Sequence, residues 1–277
     1  MDLAGTLAGI EQEAARTIGE NETDYMGADG LLICGKCHTK KQFRGVFLGV
    51  EKIVPSLCKC RAEELEKERE AENRKKAMRL AEKLRRTGMQ ESDLQNWTFA
   101  NSDNENPRLM QAAKNYVEHF DEMKRAGKGL LLYGDCGTGK TYAAACIVNA
   151  LIDRGIPCLM TNFSRVLNTL WSIEKKQEYI DAFNQYSLLV LDDLGAERQS
   201  EFVAEQVFNV IDSRCRAKLP MIVTTNLTLR ELTAPEKNKR IYDRLLGRCH
   251  PIEVNGESRR RKQLKDDLSD MNKLLGL

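Results

Sequence analysis

From Leu130 onward the chain repeats one pattern: a short apolar run, a turn, then a longer stretch with apolar residues at helical spacing. The runs are Leu130-Leu131-Leu132-Tyr133, Ile156-Pro157-Cys158-Leu159-Met160, Ser187-Leu188-Leu189-Val190-Leu191, Pro220-Met221-Ile222-Val223-Thr224-Thr225-Asn226 and the short Ile252-Glu253-Val254. Apolar runs of this length predict strands buried on both faces. Helices are predicted from about Pro107 to Arg125, from Tyr142 to about Asp153, from Ser164, from Glu201 to Lys218 and from Arg240 to Cys249. Residues 172–184 either continue the helix begun at Ser164 or break into a loop and a second short helix. Strand and helix in alternation predict an α/β domain with a central parallel sheet.

The first third of the chain reads differently. Leu7, Ile10, Ala14 and Ile18 fall near helical spacing and predict a short amphipathic helix before about residue 28. Phe43 to Val50 reads as strand material. Arg61 to Arg86 carries no proline or glycine and predicts one long exposed helix. Its first half is acidic (Glu63, Glu64, Glu66, Glu68, Glu70, Glu72) and its second basic (Arg74, Lys75, Lys76, Arg79, Lys83, Arg85, Arg86), an order that complements the helix dipole. Glu63–Lys67 and Glu70–Arg74 are spaced to pair. A solvated spacer is the favoured reading; contact of the basic half with nucleic acid or an acidic partner is the alternative. The expected organisation is a Cys-rich domain over 1–60, a charged helical linker over 61–87 and the α/β domain over 88–277.

The 277 residues, 42% of them hydrophobic, suffice for one large or two smaller domains. The net charge of +2 does not by itself call for a polyanionic partner. No run is long and apolar enough to span a membrane, and the first residues lack a signal-peptide pattern, so a cytoplasmic protein without a membrane partner is expected. Nine cysteines, an odd number, then argue for thiols or metal ligands.

Three sites carry chemistry. Gly134-Asp135-Cys136-Gly137-Thr138-Gly139-Lys140-Thr141 fits G-x-x-x-x-G-K-[ST], with an apolar strand before it and an alanine-rich helix after it. Its glycines let backbone N–H groups turn toward a polyphosphate; Lys140 would reach the β/γ-phosphates and Thr141 would sit on Mg²⁺. The strand ending in Asp192-Asp193 has the Walker B form: Asp192 would hold the Mg²⁺ shell and Asp193 would polarise the attacking water. Asn226 ends the next strand, where it would lie between phosphate and water. In the N-terminal part, Cys34-Gly35-Lys36-Cys37 and Cys58-Lys59-Cys60 offer four thiolates suited to a tetrahedral Zn²⁺, with His38 as a substitute ligand. A redox pair and four unligated cysteines are the rival readings.

These motifs, in this order, resemble one family. The segment from about Asn96 to Lys262 is similar to AAA+ ATPases of the DnaC/DnaI helicase-loader group, with the IstB transposition helpers as close relatives. The matching pieces are Gly134–Thr141, Leu188–Gly195, Ile222–Leu227, Arg240–Arg248 and Gly256-Glu257-Ser258-Arg259-Arg260. Leu94 to Phe99 resembles the approach to the adenine. The resemblance implies that Asn226 positions water, that Arg244 is an arginine finger entering a neighbour's ATP site, and that Arg260 contacts the γ-phosphate within the subunit. Arg240, Arg244 and Arg248 share a helical face, and salt bridging is the alternative role for all three. Asp193 departs from the commoner Glu and is one methylene shorter, which predicts slow, partner-regulated hydrolysis.

The resemblance implies an ATPase that self-associates through its ATP sites and delivers a DnaB-type replicative helicase to single-stranded DNA, its Cys-rich part gripping the helicase. Arg165, Trp171, Lys175 and Lys176 are candidate DNA contacts; Trp171 is equally a core candidate. A transposition helper that binds DNA and recruits a transposase is the alternative. A zinc-stabilised DNA-binding adaptor with a merely structural nucleotide site is a third reading.

Overall fold

Gly49 interrupts the strand material between the two cysteine pairs, so that stretch folds back on itself. In the computed structural model, which describes residues 21–47, 49–89, 91, 93–103, 105–195, 201–233 and 239–275, the chain divides into compact units at Lys76/Ala77. The expected helix around Leu7 to Ile18 lies outside the described residues. In the first unit, β1 (Tyr25–Met26) pairs with β2 (Leu32–Ile33), and β3 (Gln42–Phe47) pairs antiparallel with β4 (Val50–Pro55). Ribbons this short are marginal alone. Val46, Val50 and Ile53 are exposed, while Leu31, Cys34, Lys41 and Cys58 are buried.

Lys41 is 1% exposed, and its ammonium lies 2.6 Å from Asp24 Oδ2. Asp24 Oδ1 accepts the Gly35 N–H at 3.1 Å, inside the Cys34–Cys37 turn, and Oδ2 accepts the Asn21 N–H at 3.0 Å. The Asn21 N–H, the Lys41 ammonium and the Gly35 N–H hold the Asp24 pKa down to about 2 from 3.8. Because the folded value is depressed, the stability from this carboxylate is present above pH 3.8 and is lost as pH falls through about 2. Asp24→Asn leaves the buried ammonium without its anion and should lower hydrogen-exchange protection over residues 24–41 by about tenfold. Residues 130–225 should be unchanged.

Helix α1 (Lys59–Gly88) realises the long charged stretch as one 30-residue helix. Its surface pairs are Arg61–Glu64 at 2.8 Å and Glu72–Lys76 at 2.9 Å, exposed contacts worth little individually. The last turns are solvated on one face only. Ala81 and Leu84 join the core of the second unit, and Arg85 donates to Asn149 Oδ1 at 3.1 Å and pairs with Asp153.

The five apolar runs of the second unit become β5 (Gly129–Tyr133), β6 (Cys158–Asn162), β7 (Leu188–Leu194), β8 (Met221–Thr225) and β9 (Cys249–Glu253). All pair in parallel, in the order β6-β7-β8-β5-β9. Side chains alternate between two cores. Leu130, Leu132, Leu188, Val190 and Ile222 pack on one face; Leu131, Leu189, Leu191, Met221 and Val223 pack on the other. The first face is covered by α2 (Pro107–Glu118) and α4 (Lys140–Asp153), the second by α5 (Phe163–Ser172), α7 (Glu201–Arg216) and α9 (Lys239–Arg248).

The stretch expected as one helix to Arg125 is two. α2 ends at His119 and α3 (Phe120–Ala126) follows; the His119 ring nitrogen and its own N–H both approach the Asn115 carbonyl, at 3.0 Å. Residues 172–184 take the broken form: Ile173 is extended, and α6 (Lys176–Ala182) is a separate helix. Arg214 is buried without a carboxylate contact among its hydrogen bonds, which run to the carbonyls of Phe183, Ser187 and Pro220. It thereby joins the starts of β7 and β8, and burial pulls its pKa down to about 10. The remaining helices are α8 (Leu229–Thr233) and α10 (Arg259–Leu275). At the carboxyl ends of β5, β7 and β8 stand the phosphate loop, Asp192-Asp193 and Asn226, the edge where open parallel sheets bind ligands.

Candidate nucleotide site and cysteine cluster

The loop between β5 and α4 must turn sharply and leave room above it. Gly137 and Gly139 have φ of +81° and +98°, where a side chain is strained. A Cβ on Gly137 would stand 2.3 Å from Ser258 Oγ, and one on Gly139 would stand 3.2 Å from the Arg259 guanidinium. Lys140 is 4% exposed and donates to the Gly134 and Asp135 carbonyls at 2.8 and 2.6 Å. Burial lowers its pKa, against the opposing pull of Cys136 and of the Asp193 and Asp192 carboxylates. The ammonium is thus folded back on its own loop, and Thr138 Oγ1 closes that loop by donating to Asp135 O at 2.8 Å.

Above the loop is a cleft of 430 Å³. It brings together Cys136 to Tyr142, Asp193, Asn226, Arg259, Arg260, Asp103 and Trp97. The Trp97 and Tyr142 rings lie 5.4 Å apart at one end, an aromatic wall on the approach segment expected near a base. Lys140, Asp193, Asn226 and Arg260 therefore share one cavity. Asp192 lies just beneath, with Thr141 within hydrogen-bonding reach of its carboxylate. Burial pushes the Asp192 pKa up to about 6, against the Thr224 hydroxyl, which donates to Oδ1 at 2.6 Å. A hydroxyl and a carboxylate facing each other at the foot of a phosphate loop are hard oxygen ligands that fit Mg²⁺.

Two residues escaped the sequence reading. Arg259 lies 3.2 Å from Asp103 Oδ1 and 3.6 Å from Glu105 Oε2, with its guanidinium over the Tyr142 ring. Its backbone N–H donates to the Gly137 carbonyl at 3.0 Å, while Arg260 Nη1 is 3.9 Å from Cys136 Sγ. The available signal was the adjacency of two arginines after Ser258. The other residue is Thr224.

Arg244 is not in the cleft of its own chain. It projects from α9 toward Asp212 of α7, with Nη1 2.6 Å from Oδ1 and the guanidinium 5.3 Å from the Phe208 ring. Asp212 Oδ1 has no aligned hydrogen bond, so the contact is an ion pair by distance alone. Trp171 is 58% exposed, not core; it stacks on Phe202 at 5.2 Å, and Lys176 lies over the same Phe202 ring. Lys175 pairs with Glu178 at 2.8 Å. Arg165 lies apart from this patch, at a small cavity with Glu91 and Asp192.

In the first unit the ligand atoms of Cys34, Cys37, Cys58 and Cys60 all lie within 4.8 Å of one another. Cys34–Cys60 and Cys58–Cys60 sulfurs are 3.6 and 3.5 Å apart. Tetrahedral Zn–S bonds of about 2.3 Å set sulfur–sulfur edges of about 3.8 Å, so the four thiols fit the ion. His38 is not in the group; its Nδ1 faces the Tyr25 hydroxyl at 3.2 Å.

Residues 58–267 match the model of the IstB-like ATP binding proteins, more than half of the chain. The chain belongs to that family. It is an AAA+ ATPase that binds ATP, as the IstB-like family does. The IstB-like match is accompanied by similarity to the replicative helicase loader DnaI of Bacillus subtilis, 28% identical over 61% of the chain and 60% of that protein. The match thus spans less than two thirds of that relative. The replicative helicase loader DnaC of Escherichia coli is 28% identical over 69% of the chain and 79% of its own length. A putative ATP-binding protein in an insertion sequence of Mycobacterium tuberculosis is 27% identical over 49% and 57%. A crystal structure of DnaI superposes with a TM-score of 0.52 at 25% identity, covering 62% of the chain and 95% of that structure.

Proposed function

We propose that the chain is an ATP-controlled helicase loader. Its residues 1–60 bind a hexameric replicative helicase of the DnaB type, residues 61–87 link, and residues 88–277 hydrolyse ATP and self-associate through their ATP sites. The observation that carries this reading over the transposition helper is a separate unit with a four-thiol cluster ahead of the ATPase unit. The loader relatives also match more of the chain, 61% and 69% against 49%. Co-purification with a hexameric helicase and with a transposase, each with and without ATP, tests the choice. ATP-dependent recovery of the helicase alone is expected; recovery of the transposase alone overturns it.

In the proposed reaction, backbone N–H groups of Gly134 to Thr141 cradle the phosphates, and Lys140 leaves its loop carbonyls for the β/γ-phosphate oxygens. Thr141 and Asp192 would hold Mg²⁺, which neutralises phosphate charge when bound. Asn226 orients a water and Asp193 accepts its proton as the water oxygen bonds to the γ-phosphorus. The bond from that phosphorus to the β–γ bridging oxygen breaks, giving ADP and phosphate. Arg260 from within, and Arg244 from a neighbouring subunit, stabilise the transferring group. The Trp171–Phe202 stack with Lys176 offers a cationic aromatic face of the kind that holds unstacked bases.

The short Asp193 side chain keeps the base back from the water, which suits a switch with slow turnover. Asp193→Glu is expected to raise steady-state ATP turnover about tenfold, since small displacements of a catalytic group carry rate penalties of that order or more. Equal turnover of the two proteins would remove this explanation.

A further inference from the structure

The end of β7 is where its ladder with β8 fails. Leu191 pairs with Val223, but the next pair is Leu194 with Thr225, so two residues of β7, Asp192 and Asp193, stand against the single Thr224 of β8 and neither is in register with it. Asp193 sits inside this irregularity with φ +58°, a left-handed backbone that a non-glycine residue rarely adopts. Something must satisfy the polar groups that the skipped ladder leaves open.

Two threonine hydroxyls do so. Thr224, fully buried, donates its hydroxyl proton to Asp192 Oδ1 at 2.6 Å and accepts the Asp193 N–H at 2.9 Å. Thr225, also fully buried, donates to Leu194 O at 2.7 Å and accepts the Leu227 N–H at 3.1 Å. One hydroxyl thus ties together the carboxylate of Asp192 and the backbone of Asp193. We infer that Thr224 is the positioning residue of this site: its single hydroxyl sets the direction of the Asp192 carboxylate and locks Asp193 in the left-handed turn that faces its side chain into the cleft. A β-branched side chain supplies this well, because its χ1 freedom is small and the hydroxyl cannot swing away without moving its methyl. Valine has the same shape and neither bond, leaving the Asp193 N–H and the Asp192 carboxylate oxygen without this partner.

The inference rests on Asp192 holding Mg²⁺, so the test separates the two. The readout is affinity for a fluorescent ATP analogue with Mg²⁺ and with EDTA, beside steady-state turnover. Binding in EDTA reports the loop alone and shows that the protein is folded. Thr224→Val should lose about tenfold of the Mg²⁺-dependent gain in affinity and more than that in kcat, with EDTA binding unchanged. Thr224→Ser, which keeps the hydroxyl, should stay within about twofold of wild type. If the valine protein does not fold, Thr224→Cys, with a weak donor of similar size, is read by the same ratio and should also lose Mg²⁺ dependence. A valine or cysteine protein with wild-type Mg²⁺ dependence and kcat overturns the inference, as does a serine protein as impaired as the valine one. Asp192→Asn should abolish the Mg²⁺ effect. If it does not, the metal role of Asp192 fails; if it does while Thr224→Val is normal, only the role of Thr224 fails.

Discussion

Arg244→Ala is expected to lower ATP turnover of the self-associated protein by about 10³-fold while leaving nucleotide affinity unchanged, the scale at which arginine fingers act. The expectation comes from where Arg244 is not. Lys140, Asp193, Asn226 and Arg260 line one cleft, and Arg244 lies on α9 outside it, its guanidinium against Asp212 and over Phe208. Within one chain it is engaged, half-exposed, and remote from the phosphates. To act on a transferring phosphoryl group it must serve a neighbour's cleft, and to do that it must leave Asp212. Asp212 also faces Arg216, 3.1 Å from its other oxygen, so the carboxylate keeps a cation when Arg244 leaves. Mixing supplies the decisive measurement. Lys140→Ala subunits carry an intact Arg244 and a dead loop; Arg244→Ala subunits carry an intact loop and no finger. Turnover that returns on mixing two inactive proteins places the arginine in the neighbour's site. A mixture that stays inactive, with Arg244→Ala and Asp212→Ala equally destabilised, would make the pair structural.

What could be read from sequence followed from how local each signal is. β5 to β8 were legible because a strand buried on both faces needs a continuous apolar run, and Leu130 to Tyr133 or Leu188 to Leu191 admit little else. β9, a partly exposed edge strand, was legible only at Ile252 and Glu253, while its first residue, Cys249, fell in the expected helix. The phosphate loop was legible because its residues are contiguous and their geometry depends on glycine. The left-handed Asp193 was not: two aspartates at a strand end read as acids, and nothing marks one as having positive φ. Thr224 was hidden by its own suitability, since a β-branched residue in a strand is ordinary filler until the skipped register shows what its hydroxyl spans. Arg214 and Lys41 were illegible for a related reason. A buried cation is stable only beside acceptors distant in sequence, such as Phe183 O for the one and Asp24 for the other. The last turns of α1 look as polar as the first, and only the positions of Ala81, Leu84 and Arg85 against the second unit tell them apart.

We propose that a zinc ion sits among the four thiols of the first unit; removing it should unfold that unit and leave the ATPase unit intact. The thiols themselves supply the argument. The Thr39 hydroxyl, 3.0 Å from Cys37 Sγ, is the main group holding the Cys37 pKa down to about 5. Cys60, crowded by the sulfurs of Cys58, Cys37 and Cys34, is pushed up to about 12. Four sulfurs this close cannot all be thiolates unless a cation sits among them, and a divalent ion at their centre would make all four so. Among its described residues the ribbons are short, Val46, Val50 and Ile53 face outward, and few side chains are buried. A structural zinc supplies about 10–16 kcal/mol in small domains of this kind, more than such a core can replace. Purified protein should therefore carry one zinc per chain. Cys37→Ser, or chelation under reducing conditions, should erase hydrogen-exchange protection over residues 24–58 and, under the proposed function, abolish helicase capture. ATP binding should persist, because the phosphate loop draws its support from β5 and α4. Full protection of residues 24–58 in a metal-free protein would leave the four cysteines as packing residues and return the docking role of this unit to its exposed strands.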